Sequence, residues 1–361
     1  MNILKISTDF VKIFIFSLLF LFFVRKVAKK VGLVDKPNSR KCHQGQIPLV
    51  GGISIYAGIC FTFLYIYNNH GIPHMVLYLI CAAVLVITGV IDDRFEINVI
   101  TRAIIQALVA VAMMIFSGSY IKSFGYIFGP WEMVLGPFGY LVTLFSFWAA
   151  INAFNMVDGI DGLLGGLSCV SLGAMGILLY IDNNQSLALC CFAMITAIFP
   201  YILLNIGVCG RRYKVFMGDA GSTMIGFTIT WLLLQSTQGL EHPITPVTAL
   251  WVIAVPLMDM VAIMYRRIRK GMSPFAPDRQ HIHHLIMRAG FTSSQAFIII
   301  TLIAGFLAFV GVIGERWLCW SESVMLLLWM GIFLLYGHIV KCAWYVIRFV
   351  KRNKKRLSHT P

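Results

Sequence analysis

Hydrophobic residues in this chain come in long runs separated by short polar breaks. The apolar stretches cover residues 3–24, 48–67, 75–91, 100–117, 134–152, 162–181, 186–206, 215–235, 244–265, 295–314 and 323–347. A hydrocarbon layer about 30 Å thick takes about 20 apolar residues of helix to cross. The pattern predicts an all-α, polytopic integral membrane protein with about eleven transmembrane helices. The first stretch is broken by Asp9 and Lys12, and residues 118–134, rich in Gly, Pro and aromatic residues, read as a candidate re-entrant piece. No internal repeat or low-complexity segment divides the chain, so 1–361 is read as a single integral-membrane domain.

Composition supports this reading. Hydrophobic residues make up 59% and charged residues 12%, against about 25% charged in soluble domains. The net charge of +14 would suggest nucleic acid in a soluble protein, but no segment interleaves basic and aromatic residues on a polar face, and nucleic-acid binding is excluded. Charge sets orientation instead, because Lys and Arg concentrate in cytoplasmic loops. With an odd number of spans, placing the N-terminus outside and the C-terminus in the cytoplasm leaves only Lys5, Lys12, Lys122 and Arg316 away from the inner side. Lys5 and Lys12 ahead of an apolar run imitate a signal peptide. No small-residue cleavage site follows, and Arg25 and Lys26 come next, so an uncleaved anchor is expected. Nine cysteines without CxxC spacing argue against a disulfide or zinc framework.

The same orientation gathers the acidic residues Asp35, Asp92, Asp93, Glu96, Asp158, Asp161, Asp219, Asp259 and Asp278 at the inner interface, although the charge rule does not use them. Loops 25–47, 92–99, 153–161, 207–214 and 266–294 are expected to form an active-site face there. The motif GVIDDRFEIN puts Asp92 and Asp93 at the end of a span, with Arg102 further on. Paired carboxylates at a hydrocarbon boundary either bind something or solvate in a loop. NAFNMVDGIDGLLGG spaces Asn152, Asn155, Asp158 and Asp161 by three, which on a helix shares one face. Its glycines also suit a helix-packing seam, which leaves the carboxylates unexplained. KVFMGDAGS sets Asp219 between small neighbours, as a ligand or as an N-cap. HIHH, with His281, His283 and His284, lies in a loop that also holds Arg266, Arg267, Arg269, Lys270, Arg279 and Arg288. That company favours phosphate or sugar over zinc. Arg40, Lys41 and His43 precede Gly51 and Gly52, whose lack of side chains permits close approach to a ligand or simply forms a turn.

Carboxylates and an amide suggest Mg²⁺ held together with substrate phosphates, and basic loops suggest the phosphates themselves. DD at 92–93, NxxxDGxDG at 152–162, GDAGS at 218–222 and HIHH at 281–284, in this order, resemble the polyprenyl-phosphate N-acetylhexosamine-1-phosphate transferases over nearly the whole chain. HIHH behind RRIRKG is similar to the bacterial branch of enterobacterial common antigen and O-antigen lipopolysaccharide synthesis. The paralogous phospho-N-acetylmuramoyl-pentapeptide transferases usually show a longer histidine run after a proline, which is lacking here.

The resemblance implies an enzyme of the bacterial inner membrane. It would transfer N-acetylglucosamine 1-phosphate from UDP-N-acetylglucosamine to undecaprenyl phosphate with Mg²⁺, or Mn²⁺ substituting, and a homodimer is compatible with it. It implies Asn155 and Asp219 at the metal, Asp92 and Asp93 near the acceptor phosphate, and Arg102 on a phosphate. It further implies Gly159 and Phe216 flanking uracil, Asp158 and Asp161 on the nucleotide, and Arg267, His281, His283 and His284 on sugar and diphosphate. The alternatives are another UDP-sugar specificity, the muramoyl-pentapeptide donor among them, and an ion-coupled transporter. A transporter would place charges near the midplane on discontinuous helices, where Asp259 is the deepest candidate.

Overall fold

Every one of the eleven apolar stretches is helical. The structure, a computed structural model, describes residues 3–35, 45–66, 72, 74–238, 243–274 and 280–357, with backbone alone for 343–357. Arg40, Lys41, His43, Asp278 and Arg279 lie outside the described residues. The helices are α1 (Ile3–Val31), α2 (Gly51–Phe61), α3 (Met75–Phe95), α4 (Val99–Ser117), α5 (Phe138–Val157), α6 (Leu163–Ile181) and α7 (Gln185–Asn205). They continue as α8 (Gly218–Thr237), α9 (Pro246–Val252), α10 (Ala254–Ile268), α11 (Ile282–Arg288), α12 (Ser293–Arg316) and α13 (Glu322–Leu357). The described β-structure is slight: β1 (Val34–Asp35) pairs antiparallel with β2 (Ile47–Pro48).

Among the described residues, seven helices (α3, α4, α5, α6, α7, α12 and α13) are long and apolar enough to cross a membrane, and the bent α9–α10 pair makes eight. The expected count of eleven treated every stretch as an uninterrupted lipid-facing span, and four of them differ from that picture: α1, which carries Asp9 and Lys12, is not among the eight. α2 is short and continues in a π-turn, Thr62–Ile66. α9 and α10 meet at 82° where one straight helix over 244–265 was expected. Pro256, at the start of α10, has no N–H to bond back across the break at Ile253. α8 is less apolar because protein, not lipid, surrounds it.

α8 is the axis of the fold, with nearly all its side chains buried against α2, α3, α5 and α6. Its hydroxyls are satisfied within the helix: Thr228, Thr230, Ser236 and Thr237 donate to carbonyls one turn back at 2.7–2.8 Å. Tyr78 of α3 stacks on Trp231 with centroids 4.2 Å apart and shares a 2.8 Å hydrogen bond with Thr228. Close approach at the N-terminal end of α8 depends on two glycines. A Cβ on Gly52 would overlap the Gly221 backbone, and one on Gly89 would overlap the Ala220 backbone. Gly51 and Gly52, read from the sequence as room for a ligand or as a turn, serve helix packing here: Gly51 backs onto Tyr201 and Met217. Asp9 and Lys12, the charges that break the first apolar stretch, pair with each other, Lys12 Nζ lying 3.1 Å from Asp9 Oδ1.

The two ends of the bundle differ. At the C-terminal end of α8, Gln238 accepts from the amides of Lys122 and Ser123 at 2.8 and 3.2 Å and donates to the Ser123 carbonyl at 3.0 Å. Residues 118–134 therefore form a loop, bridged between Ser123 and Val134, that is fastened to this end rather than re-entering the bundle. Arg316 pairs there with Asp182 and the Pro243 carbonyl. The opposite end holds the chemistry.

Candidate active site

Several chain segments converge where α8 begins. A cavity of about 570 Å³ is lined there by Asp93 from the end of α3, Asn155 from α5, and Asp158, Gly159 and Asp161 from the turn after α5. Lys214 and Phe216 come from the segment before α8, Asp219 from its first turn, and Met287 and Ser293 from the ends of α11 and α12. The expected residues Asp93, Asn155, Asp158, Gly159, Asp161, Phe216 and Asp219 are thus brought together.

The aspartate pair divides. Asp92 is 5% exposed and does not line the cavity; its Oδ2 receives Arg102 Nη1 at 2.6 Å and its Oδ1 the Ile97 amide at 2.8 Å. Arg102 also reaches Asp219, at 3.7 Å. Asp93 faces the cavity and accepts from the backbone amides of Asp219, at 2.9 Å, and Ala220, at 3.5 Å. An anion at a helix N-terminus gains from the free N–H groups and the helix dipole. Asp219 in turn accepts from Asn155 Nδ2 at 3.0 Å. Asp219 lies in the first helical turn, and the N-cap is Met217, so the N-cap reading of this aspartate does not hold.

The expectation that 152, 155, 158 and 161 share a helix face is corrected. α5 ends at Val157, Asp158 adopts φ −74°, ψ 57°, and Gly162 is left-handed at φ 81°. Asp158 and Asp161 reach the cavity from a turn, while Asn152 bonds back to the Trp148 carbonyl at 2.8 Å and takes no part. The turn is held by Asn205, which sequence reasoning missed. Its side chain accepts from the Gly162 amide at 2.5 Å and donates to the Val215 carbonyl at 2.8 Å. A lone Asn closing the apolar run YILLN was the available signal. Burial, with the charges of Asp219 and Asp161 nearby, pushes the Asp158 carboxyl up to about 7.

HIHH is not a loop. His281 precedes α11, and His283 and His284 lie within it, because the turn closes through the Leu285 amide on the His281 carbonyl at 3.1 Å. None of the three lines the cavity, nor do Arg267 and Arg102. His281 Nδ1 lies 2.8 Å from Asp259 Oδ2, whose partner oxygen accepts from the Ile282 amide at 3.1 Å and from Tyr336 of α13 at 2.7 Å. Asp259 is 1% exposed. It does sit on a broken helix, as a transporter would require, but both its oxygens are committed to holding α11. His283 packs its ring on Gly159, where a Cβ would overlap it. Burial, with His284 and His281 nearby, lowers the His283 ring to about 3, and neither ring nitrogen has a hydrogen-bond partner. Burial favours the neutral ring, and its contact with Gly159 couples α11 to the Asp158–Asp161 turn. Arg267 is buried, with its Nη1 2.5 Å from the Pro274 carbonyl.

The lining offers oxygen donors of the kind hard divalent cations take. Among the described residues, no group of three or more His, Cys, Asp or Glu gathers tightly enough to hold a metal ion alone. Asp219 and Asn155, within hydrogen-bond reach of each other, and the facing Asp93 are the nearest approach to such a site. Aspartates and amides around an aromatic floor suit a ligand that brings phosphates and a planar ring.

The chain matches the glycosyl transferase family 4 model over residues 75–237, which spans Asp92 to Asp219. It is 69% identical over 357 residues to the undecaprenyl-phosphate alpha-N-acetylglucosaminyl 1-phosphate transferase of Yersinia pestis, covering 99% of this chain and 97% of that protein. Its similarity to the protein of the same name from Escherichia coli (strain K12) is 68% over the same coverage. For that from Haemophilus influenzae it is 51%, over 95% and 96% of the two chains.

Proposed function

Because the chain belongs to the undecaprenyl-phosphate alpha-N-acetylglucosaminyl 1-phosphate transferases, within glycosyl transferase family 4, we propose that it transfers N-acetylglucosamine 1-phosphate from UDP-N-acetylglucosamine to undecaprenyl phosphate. The products are undecaprenyl-diphospho-N-acetylglucosamine and UMP. The observation that carries this reading is the meeting of Asp93, Asn155, Asp158, Phe216 and Asp219 at one cavity, at one end of a helical membrane bundle. A water-soluble nucleotide and a membrane lipid can both reach such a place.

Mg²⁺, with Mn²⁺ as a substitute, fits the residues present. Mg²⁺ is usually bound through one or two carboxylates plus substrate phosphates, so a lining short of a three-residue cage suits it. The raised Asp158 carboxyl reflects the excess negative charge that a cation would offset. Asp219 and Asn155 would hold the ion, with Asp93 facing them. When bound it would neutralise charge on the donor diphosphate.

The chain's own residues do the positioning. Phe216 supplies a flat surface for uracil, beside Gly159, and the Asp158–Asp161 turn orients the nucleotide. Asp93, fixed by the α8 amides, orients the acceptor phosphate. An acceptor oxygen attacks the donor β-phosphorus, and the bond from that phosphorus to the bridging oxygen breaks, so UMP leaves with the electron pair. A phosphate with a second pKa of about 6 is already mostly ionised at pH 7, so no strong base is required. Alignment and charge neutralisation carry the rate. A covalent route through an aspartate would catalyse exchange of UMP into the UDP-sugar without lipid acceptor, and single displacement predicts none.

Loop charge supports an outward N-terminus and a cytoplasmic active-site face. The functional test is UMP release by the purified protein with Mg²⁺, undecaprenyl phosphate and a panel of UDP-sugars. Turnover should be greatest with UDP-N-acetylglucosamine; turnover only with the muramoyl-pentapeptide donor would reject the assignment.

A further inference from the structure

The carboxylate-lined cavity holds one feature that the aspartate motifs do not explain. Among the described residues lining it, Lys214 is the one cation, set against Asp35, Asp93, Asp158, Asp161 and Asp219. Its Nζ lies 2.5 Å from Asp161 Oδ2 and 5.3 Å from the centre of the Phe216 ring.

The backbone that follows it is fixed. The Val215 carbonyl accepts from Asn205, the Phe216 amide donates to Pro48, and the Phe216 carbonyl accepts from the amides of Val50 and Gly51. The side chain is not fixed in the same way. Lys214 and Asp161 are 21% and 35% exposed, so the pair is partly shielded, and the contact joins one ammonium to one carboxylate oxygen, which an anion of higher charge entering the cavity can replace. A lysine stem swings its ammonium over several ångströms. In the ligand-free arrangement the ammonium occupies the ring that the functional reading gives to uracil, and it neutralises the carboxylate beside it.

We propose that Lys214 is a donor-binding residue that exchanges partners: when the nucleotide enters, its ammonium leaves Asp161 and the Phe216 face and takes a phosphate of the nucleotide. This rests on the functional reading above. A phosphate carrying up to two negative charges outcompetes a single carboxylate for one ammonium. Departure of the ammonium takes it away from the ring, so base and phosphate recognition are linked through one side chain.

The test is calorimetric binding of UMP and of uridine, with Mg²⁺, to the full-length protein in detergent. UMP presents base and phosphate, and uridine the base alone. Lys214→Ala should weaken UMP roughly 10- to 100-fold, as expected for loss of a charge-assisted hydrogen bond, and change uridine by less than about threefold. Lys214→Arg should recover part of the loss. Lys214→Gln, which keeps the stem, gives the same comparison if Lys214→Ala is not monodisperse. Equal weakening of UMP and uridine would mean that Lys214 only shapes the pocket, and unchanged UMP binding would mean that it touches no phosphate; either result overturns the inference. Wild type that binds UMP without turning over UDP-N-acetylglucosamine would instead sink the functional reading and leave the Lys214 comparison intact.

Discussion

Asp93 accepts a hydrogen bond from the backbone amide of Asp219 at 2.9 Å, joining two motifs 126 residues apart in sequence. The bond explains how adjacent aspartates come to do different work. Asp93 is drawn to the positive end of α8 by the backbone amides there, while Asp92 is taken by Arg102, which also reaches the Asp219 side chain.

Asp92→Asn and Asp93→Asn should therefore fail differently. Asp92→Asn removes the charged partner of a half-buried arginine and should cost on the order of 1–2 kcal/mol of stability, read as a lower apparent Tm. Asp93→Asn should keep its Tm within a few degrees and lose turnover by about 100-fold or more.

The raised Asp158 carboxyl gives a pH signature to the metal-free protein. Its pKa of about 7 lies above the ordinary 3.8. The protonated form is thus favoured in the folded state, and that stability is full below about pH 4 and lost as pH rises through 7. Between pH 5 and pH 8, metal-free wild type should lose Tm relative to Asp158→Asn. Parallel Tm profiles would show that Asp158 ionises normally.

Much of this site was legible because its residues are chemically out of place. Aspartates in apolar runs such as GVIDDRF and VFMGDAGS stand out whatever fold brings them together. The histidines show what the sequence conceals: three of them amid cations suggested ligand contact, and the structure adds partners within the fold, Asp259 for His281 and Gly159 for His283. Those partners lie far away in sequence, and burial cannot be read from composition. Asn205 and Lys214 were passed over because a single polar residue at a span end looks like an ordinary boundary. The break at Ile253 was hidden because hydropathy is continuous through it, and hydropathy does not report helix direction.

Asp259 and Tyr336 make α13 part of the site's support. Tyr336→Phe removes a 2.7 Å hydrogen bond to a buried carboxylate and should cost roughly 1–3 kcal/mol. Through His281 and α11 it should raise the KM for the donor more than it lowers kcat. A fall in kcat alone would place Tyr336 outside this support.

Native cysteines report the orientation. Cys209, after α7, and Cys319, after α12, are exposed at opposite ends of the bundle. In variants keeping one of the two and no other cysteine, an impermeant maleimide should label Cys319 in cells with a permeabilised outer membrane. It should label Cys209 only after the inner membrane is opened. The reverse pattern would invert the topology.

The most direct measurement is mass analysis of the lipid formed from UDP-N-acetylglucosamine and undecaprenyl phosphate by purified wild type, Asp93→Asn and Asp219→Ala. Wild type should yield undecaprenyl-diphospho-N-acetylglucosamine, and the two variants almost none at any Mg²⁺ concentration. Wild-type-like yield from folded Asp219→Ala would contradict the placement of phosphate transfer at the N-terminal end of α8.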